Sequence, residues 1–281
     1  MEPRKNIFKI LLVIIIAAAG VLPQPAFAGE TLKIGGDGSA LGSMKVLSEA
    51  FAKSHPGVTV QVLPSLGSPG GINAVLDGRI DIGLSGRALT EEGRKRGAIA
   101  TEYAKTPFIF ETNKDTRASN LSINDLVEIY RGDRPTWPDG TRIRLVLRPE
   151  HDIDTDILKQ ISPGMNEAVK TALSRRGMIM ALTNQESDNL VETIPGSLGV
   201  STLSQIISEK RSSKVLSFNG VKPSVKTLAD GTYPLVKTFY VVTPAKIPAP
   251  VKMFNDFVRS PTGRQILMET GHWVPEEREH R

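Results

Sequence analysis

Three short stretches rich in glycine and serine carry residue types that can hold a negatively charged group. Gly35-Gly36-Asp37-Gly38-Ser39, Ser65-Leu66-Gly67-Ser68-Pro69-Gly70-Gly71 and Ser85-Gly86-Arg87 each follow an apolar, strand-like run. Glycine allows close backbone approach, and a serine hydroxyl adds a donor. The amino end of a helix presents unpaired N–H groups at the positive end of its dipole. Arg87 adds a forked, permanently charged donor. In open parallel sheets ligands bind outside the carboxyl ends of the strands, where such loops converge. Singly, each stretch reads as a turn. Together they describe an oxyanion pocket with Ser39, Ser68, Ser85 and Arg87 as candidate donors.

Other chemistries fit less well. Asp152-x-Asp154-x-Asp156 has the opening spacing of a calcium loop, but Ile157 stands where glycine is needed and Pro163 where glutamate is needed. A zinc or histidine-dependent site would have to use His151 or His272, and neither has ligand spacing around it. A serine hydrolase favours Gly-x-Ser-x-Gly between strand and helix, a pattern that Ser39 and Ser85 both lie outside. The residues therefore argue against an enzyme, and no cofactor or metal is implied. Cationic runs such as Arg94-Lys95-Arg96 are short and aromatics make up only 5%, so no nucleic-acid surface is indicated.

The elements that must position these loops alternate in type. Thr31 to Ile34 reads as a strand, and Ser43 to Ser54 as a helix with Met44, Leu47, Ala50 and Phe51 on one face. A strand at Val58 to Leu63, a short helix carrying Ile72, Val75 and Leu76, and a strand at Ile80 to Leu84 follow. This β-α-β-α-β order predicts a parallel sheet covered by helices on both faces. Phe108 to Thr112 is a further strand, and Ser122 with Asp125 marks a helix start. A strand at Ile143 to Leu147, helices near Thr155 to Ile161 and Met165 to Ser174, a strand at Met178 to Leu182 and another near Gly199 read as a second, separate sheet. The chain closes with a strand at Leu235 to Thr243, a helix at Val251 to Val258, and a helix capped by Ser260 with Pro261 first and Gly271 beyond its end.

The amino terminus carries an export signal by its pattern. Arg4, Lys5 and Lys9 precede a 13-residue apolar run, Ile10 to Leu22, and Ala26-Phe27-Ala28 supplies small residues for cleavage after Ala28. The apolar run is short for a membrane span, which takes about 20 residues. Cleavage leaves 32 basic against 29 acidic residues, a mild positive excess. There is no cysteine, so neither disulfides nor a lipid-anchoring cysteine is available. These features predict a soluble periplasmic protein.

The residues that carry the anion chemistry also resemble a family. Gly67-Ser68-Pro69-Gly70-Gly71-Ile72 and then Gly78 to Arg87 resemble the "GSxGGI … G-x-(I/V)-D-(I/F)-G-x-S-x-R" run of periplasmic phosphate-binding proteins, the receptors of phosphate ABC importers. Leu121 to Trp137 is similar to the family's "L-x-x-(D/Q)-L-x-x-I-(Y/F)-x-G … W" segment, and Pro195-Gly196-Ser197-Leu198-Gly199-Val200 to its "PGAIGY". The resemblance implies an α/β fold of two lobes, the type II periplasmic-binding-protein fold, each lobe a mainly parallel sheet with helices on both faces. Residues 29–112 plus 235–281 would form one lobe and 113–234 the other. It implies a phosphate ligand in the cleft, an ABC permease as partner, and a monomer.

By the same resemblance Ser39 and Ala40 match positions that donate a hydroxyl and a backbone N–H to the anion, and Ser68 matches the serine of the second loop. Arg87 matches an arginine after the third strand. Arg148 matches the arginine opening an "R-x-x-G-S-G-T" loop, and Thr155 its closing threonine. The sequence departs from the pattern at His151-Asp152-Ile153-Asp154-Thr155, where two carboxylates replace neutral donors. Asp152 or Asp154 would then accept a proton from the ligand, or the pocket would take another oxyanion or an organic anion. An anion-sensing or interaction protein with the same fold is the remaining reading.

Overall fold

The computed structural model of the protein describes residues 29–275; the export signal expected over 1–28 lies outside the described residues, as does the tail from 276. The chain begins β1 (Glu30–Gly36), α1 (Leu41–Ser54), β2 (Val58–Val62), α2 (Gly67–Leu76), β3 (Ile82–Ser85), α3 (Glu91–Lys95) and β4 (Ala98–Thr112). It continues with β5 (Asn120–Leu121), α4 (Ile123–Arg131), β6 (Arg144–Leu147), α5 (Ile153–Gln160), α6 (Pro163–Ser174), β7 (Ile179–Met180), α7 (Asn184–Thr193) and β8 (Ser197–Thr202). Then come α8 (Leu203–Ser208), β9 (Lys214–Val215), β10 (Ser217–Phe218), α9 (Val225–Ala229), β11 (Val236–Pro244), α10 (Ala249–Arg259) and α11 (Pro261–Glu269).

β1 pairs in parallel with β2 and β3, and β6 pairs in parallel with β7 and β8. The expectation of two separate sheets needs correcting. The strands run in one path, β2-β1-β3-β11-β4-β8-β6-β7, because the 15-residue β4 serves both halves. Its first part pairs with β11 and its last part with β8, both antiparallel. Tyr103 and Ala104 lie in one hydrophobic core with Leu32, Ile34, Phe51 and Phe254; Phe108 and Phe110 lie in a second with Tyr130, Trp137 and Leu198. β4 and β11 are thus the two segments that tie the cores together.

Local chemistry explains several of the element ends. Ser122 and Asp125 form a reciprocal capping box at the start of α4, as their spacing predicts. Ser260 caps α11 with Pro261 in its first turn, and Gly271 follows with φ +84. α2 starts earlier than the apolar periodicity indicates. Ser68 to Gly71 are its first turn rather than a loop before it, because Pro69 is tolerated there and Gly71 lies against the backbone of Gly35 and Gly36.

Candidate functional site

The carboxyl ends of β1 and β3, the start of α2 and the loop after β6 meet in one buried cluster. Its first element is the turn after β1. Gly36 adopts φ +143, and a Cβ there would lie 2.1 Å from the Leu84 carbonyl oxygen, so only glycine lets β1 turn so close to β3. The turn is pinned by the Asp37 N–H, which donates to that same carbonyl at 2.9 Å. The Asp37 side chain then gathers the donors. Its Oδ1 accepts from Ser39 N at 3.0 Å and from Ser39 Oγ at 2.5 Å, and its Oδ2 accepts from Ser68 Oγ at 3.0 Å. Ala40 N donates to the Asp37 carbonyl at 3.3 Å.

The second half of the cluster rises from the loop after β6. Arg148, 4% exposed, donates from Nη1 to the Ala181 carbonyl at 2.8 Å and from Nη2 to Asp152 at 2.7 Å. Asp152 caps α5 by accepting from Asp154 N at 2.9 Å. Thr155 Oγ1 donates to the Arg148 carbonyl at 3.2 Å. Asp154 is buried and accepts from Asn184 Nδ2 at 2.7 Å.

Lys237 joins the two. It sits on β11, in register with Thr106 where β4 passes from one core to the other, and it is completely buried. Its Nζ lies 2.7 Å from Asp154 Oδ1 and 3.2 Å from Asp37 Oδ2. Gly86 makes room for it, since a Cβ at Gly86 would stand 2.6 Å from Lys237 Cε and 2.7 Å from Asp37 Oδ2. Gly86 N also donates to Ser68 Oγ at 2.9 Å. Gln185 adds a further tie, donating to the Gly38 carbonyl at 2.9 Å and to Glu209 at 2.8 Å.

Electrostatics distinguishes the members of the cluster. Burial pushes the Asp37 carboxyl up, but Lys237 and the hydroxyl donors of Ser39 and Ser68 outweigh it and hold it below the ordinary value. For Asp154 burial wins. Lys237 offsets it only in part, Asp152 and Asp37 push the same way, and the carboxyl lies above its ordinary value. Burial pulls the Lys237 ammonium down, yet Asp154 and Asp37 more than restore it, so it stays charged. Three carboxyls, Asp37, Asp152 and Asp154, face two cations, Arg148 and Lys237.

Of the residues expected from sequence, Ser39, Ala40, Ser68, Arg148, Asp152 and Thr155 are brought together here. Ser85 bonds within its own loop, its Oγ donating to the Arg87 carbonyl at 2.7 Å. Arg87 stands at the rim, where Nη2 donates to the His151 carbonyl at 3.0 Å and lies 3.4 Å from Asp156. Sequence reasoning missed Asp37, Lys237, Asn184 and Gln185. Lys237 carried a usable signal: it alternates with Leu235, Phe239 and Val241 along one face of the strand, and a lone lysine on an apolar face must find buried partners.

This arrangement offers two charged donors, several hydroxyls and three carboxyl groups at the closure of two half-sheets. It suits a small oxyanion that brings its own proton. A family model described as PBP superfamily domain matches residues 23–262. The chain belongs to the PBP superfamily. It is 27% identical over 215 residues to the phosphate-binding protein PstS of Borreliella burgdorferi, covering 73% of this chain and 76% of that relative. It is 25% identical over 258 residues to PstS of Bacillus subtilis, covering 88% and 81%. In three dimensions this superfamily member resembles a putative phosphate ABC transporter substrate-binding protein with bound phosphate from Clostridium perfringens. The TM-score is 0.77 at 21% identity, over 88% of this chain and 100% of the other. That likeness gives the two-lobed fold expected from sequence.

Proposed function

We propose that this chain is the substrate-binding component of a phosphate ABC importer, a monomeric receptor outside the cytoplasm and not an enzyme. Its relatives are named phosphate-binding proteins, and among the described residues no helix is long and apolar enough to cross a membrane. The two lobes, expected over 29–112 plus 235–281 and over 113–234, meet near Thr106 and Lys237, where β4 and β11 pass between the two cores, and the ligand is a small oxyanion held there. The observation that carries the reading is Lys237, pinned between Asp37 on one side of the cleft and Asp154 on the other with Arg148 adjacent.

In the liganded state the oxyanion takes its charge partners from Lys237 and Arg148 and its hydroxyl donors from Ser39 and Ser68. Asp37 and Asp154 are then free to accept a ligand proton, which phosphate carries at neutral pH. Entry requires the halves to part, because Lys237 fills the centre of the cluster. Ligand binding therefore competes with an internal ion pair and stabilises a closed state by binding it preferentially. The charged Lys237 is no general base, and Ser39 donates its proton to a carboxylate that is already multiply bonded, so the cluster is built to hold rather than to react.

The test is a calorimetric and thermal-shift titration of the mature protein, unfolded and refolded to remove carried-over ligand, against phosphate, sulfate, molybdate and small carboxylates. Stabilisation by phosphate and not by sulfate is the expected result. Stabilisation by another anion alone would rename the ligand, and no response to any would favour an anion-independent role for the same fold.

A further inference from the structure

The strongest unassigned feature is a cavity of about 410 Å³ on the second half-sheet. Arg144 begins β6 and lines this cavity, whereas Arg148 follows the last residue of β6 and belongs to the cleft. Four residues of strand, about 13 Å, separate the two. The cavity lies at the amino ends of β6 and β7, the opposite end of the strands from the cluster of Lys237.

Arg134, Arg142, Arg144 and Arg175 all line it, and none of its lining residues is acidic. Arg134 is paired with Asp125. The other three have no carboxylate partner among the described residues. Arg144 Nη1 donates to the Pro195 carbonyl at 2.8 Å, which aims its guanidinium without neutralising it. Arg175 Nη2 donates to the Tyr130 carbonyl at 3.0 Å, and its Nε is buried with no hydrogen-bond partner among the described residues. Gly132 makes room for it, since a Cβ there would lie 2.6 Å from Arg175 Nη1. Arg142 is exposed and makes no side-chain hydrogen bond or ion pair among the described residues. Ile129, Leu145 and Met178 give the same cavity an apolar wall.

Guanidinium groups gathered without counter-ions make a locally positive surface, and their forked donors match phosphate and carboxylate oxygens. The volume is within the range of small-molecule sites. We propose that this cavity is a second, independent anion site, which takes a small molecule bearing a phosphate or carboxylate group on a compact apolar body. The arginines hold the head group and the Ile129, Leu145 and Met178 wall takes the body. The proposal stands apart from the cleft reading, since it uses no residue of that cluster.

The test titrates the mature protein calorimetrically with phenyl phosphate and with benzoate, and compares wild type with Arg142→Glu and with Arg142→Glu/Arg144→Gln. Arg142 holds nothing in place, so the first variant should keep the wild-type unfolding midpoint and its response to inorganic phosphate in the cleft. The expected result is binding of one or both probes to wild type, weakened roughly tenfold or more in the variants. If neither probe binds wild type, or if both variants bind as well as wild type, the proposal is overturned. Loss of inorganic phosphate binding by wild type itself would instead sink the cleft reading and leave this test intact.

Discussion

At the scale of single residues, Lys237 has the largest predicted effect. Its ammonium is buried between two carboxylates, so replacing it leaves Asp37 and Asp154 facing each other without a cation. Lys237→Met should lower unfolding stability by about 3 to 5 kcal/mol in urea titrations and abolish oxyanion binding. Asp154→Asn should behave differently. The carboxyl there is pushed up by burial, and an amide can still accept from Lys237. We expect a loss of stability well below that of Lys237→Met in the same titration. An equal loss would mean that Asp154 is fully ionised in the folded protein.

The elements make their own predictions, because several depend on a single close approach. α2 packs its first turn against β1 where a Cβ at Gly71 would lie 2.7 Å from Gly36 Cα and 2.9 Å from the Gly35 carbonyl oxygen. Gly71→Val must push backbone from backbone, and overpacking of this kind costs about 1 to 3 kcal/mol or more. A lowered thermal midpoint with weakened phosphate response should follow, and an unchanged midpoint would show that the contact can relax. β4 and α7 meet in a second titratable cluster. Glu111 on β4 is pushed up to about 7 by burial, beside Asp188, whose carboxyl burial also raises, and with Arg211 as the nearby cation. The folded state keeps the Glu111 proton over a range where the unfolded chain has lost it. Stability from this group is therefore full below about pH 4.5 and falls as pH rises through about 7, by at most about 1.4 kcal/mol per pH unit. Denaturation measured from pH 5 to 8 should show that decline, and Glu111→Gln should flatten it.

For the whole molecule, closure is the property that distinguishes a receptor from a rigid binding module. The Lys237 to Asp154 pair, the Gln185 to Gly38 hydrogen bond and the Arg87 to His151 hydrogen bond all tie one side of the cleft to the other. Removing the buried tie should shift the population towards open forms. Small-angle scattering of ligand-free Lys237→Met should give a larger radius of gyration than wild type, and an identical value would mean that the remaining contacts are sufficient for closure.

How much of this was legible in the chain follows from the physics of each element. α4 and α11 were readable because their caps are local, satisfied by Ser122 with Asp125 and by Ser260 with Pro261 a few residues away. α7 was not, because its buried positions include Asn184, Ser187 and Asp188, so no apolar periodicity marks its inner face. Ser39, Ser68 and Arg148 were legible because glycine-rich turns at strand ends and a cation after a strand are sequence-local signals. That Asp37 takes the serine donors, and that Lys237 spans the cleft, could not be read in this way. Those contacts depend on β11 docking between β3 and β4, which brings the last strand to the first loop. The sequence by itself determined the residue types, the alternation of strands and helices and the placing of glycine and serine donors at strand ends. The tertiary structure decided which charges are paired, because pairing depends on distances that only the packed sheet sets.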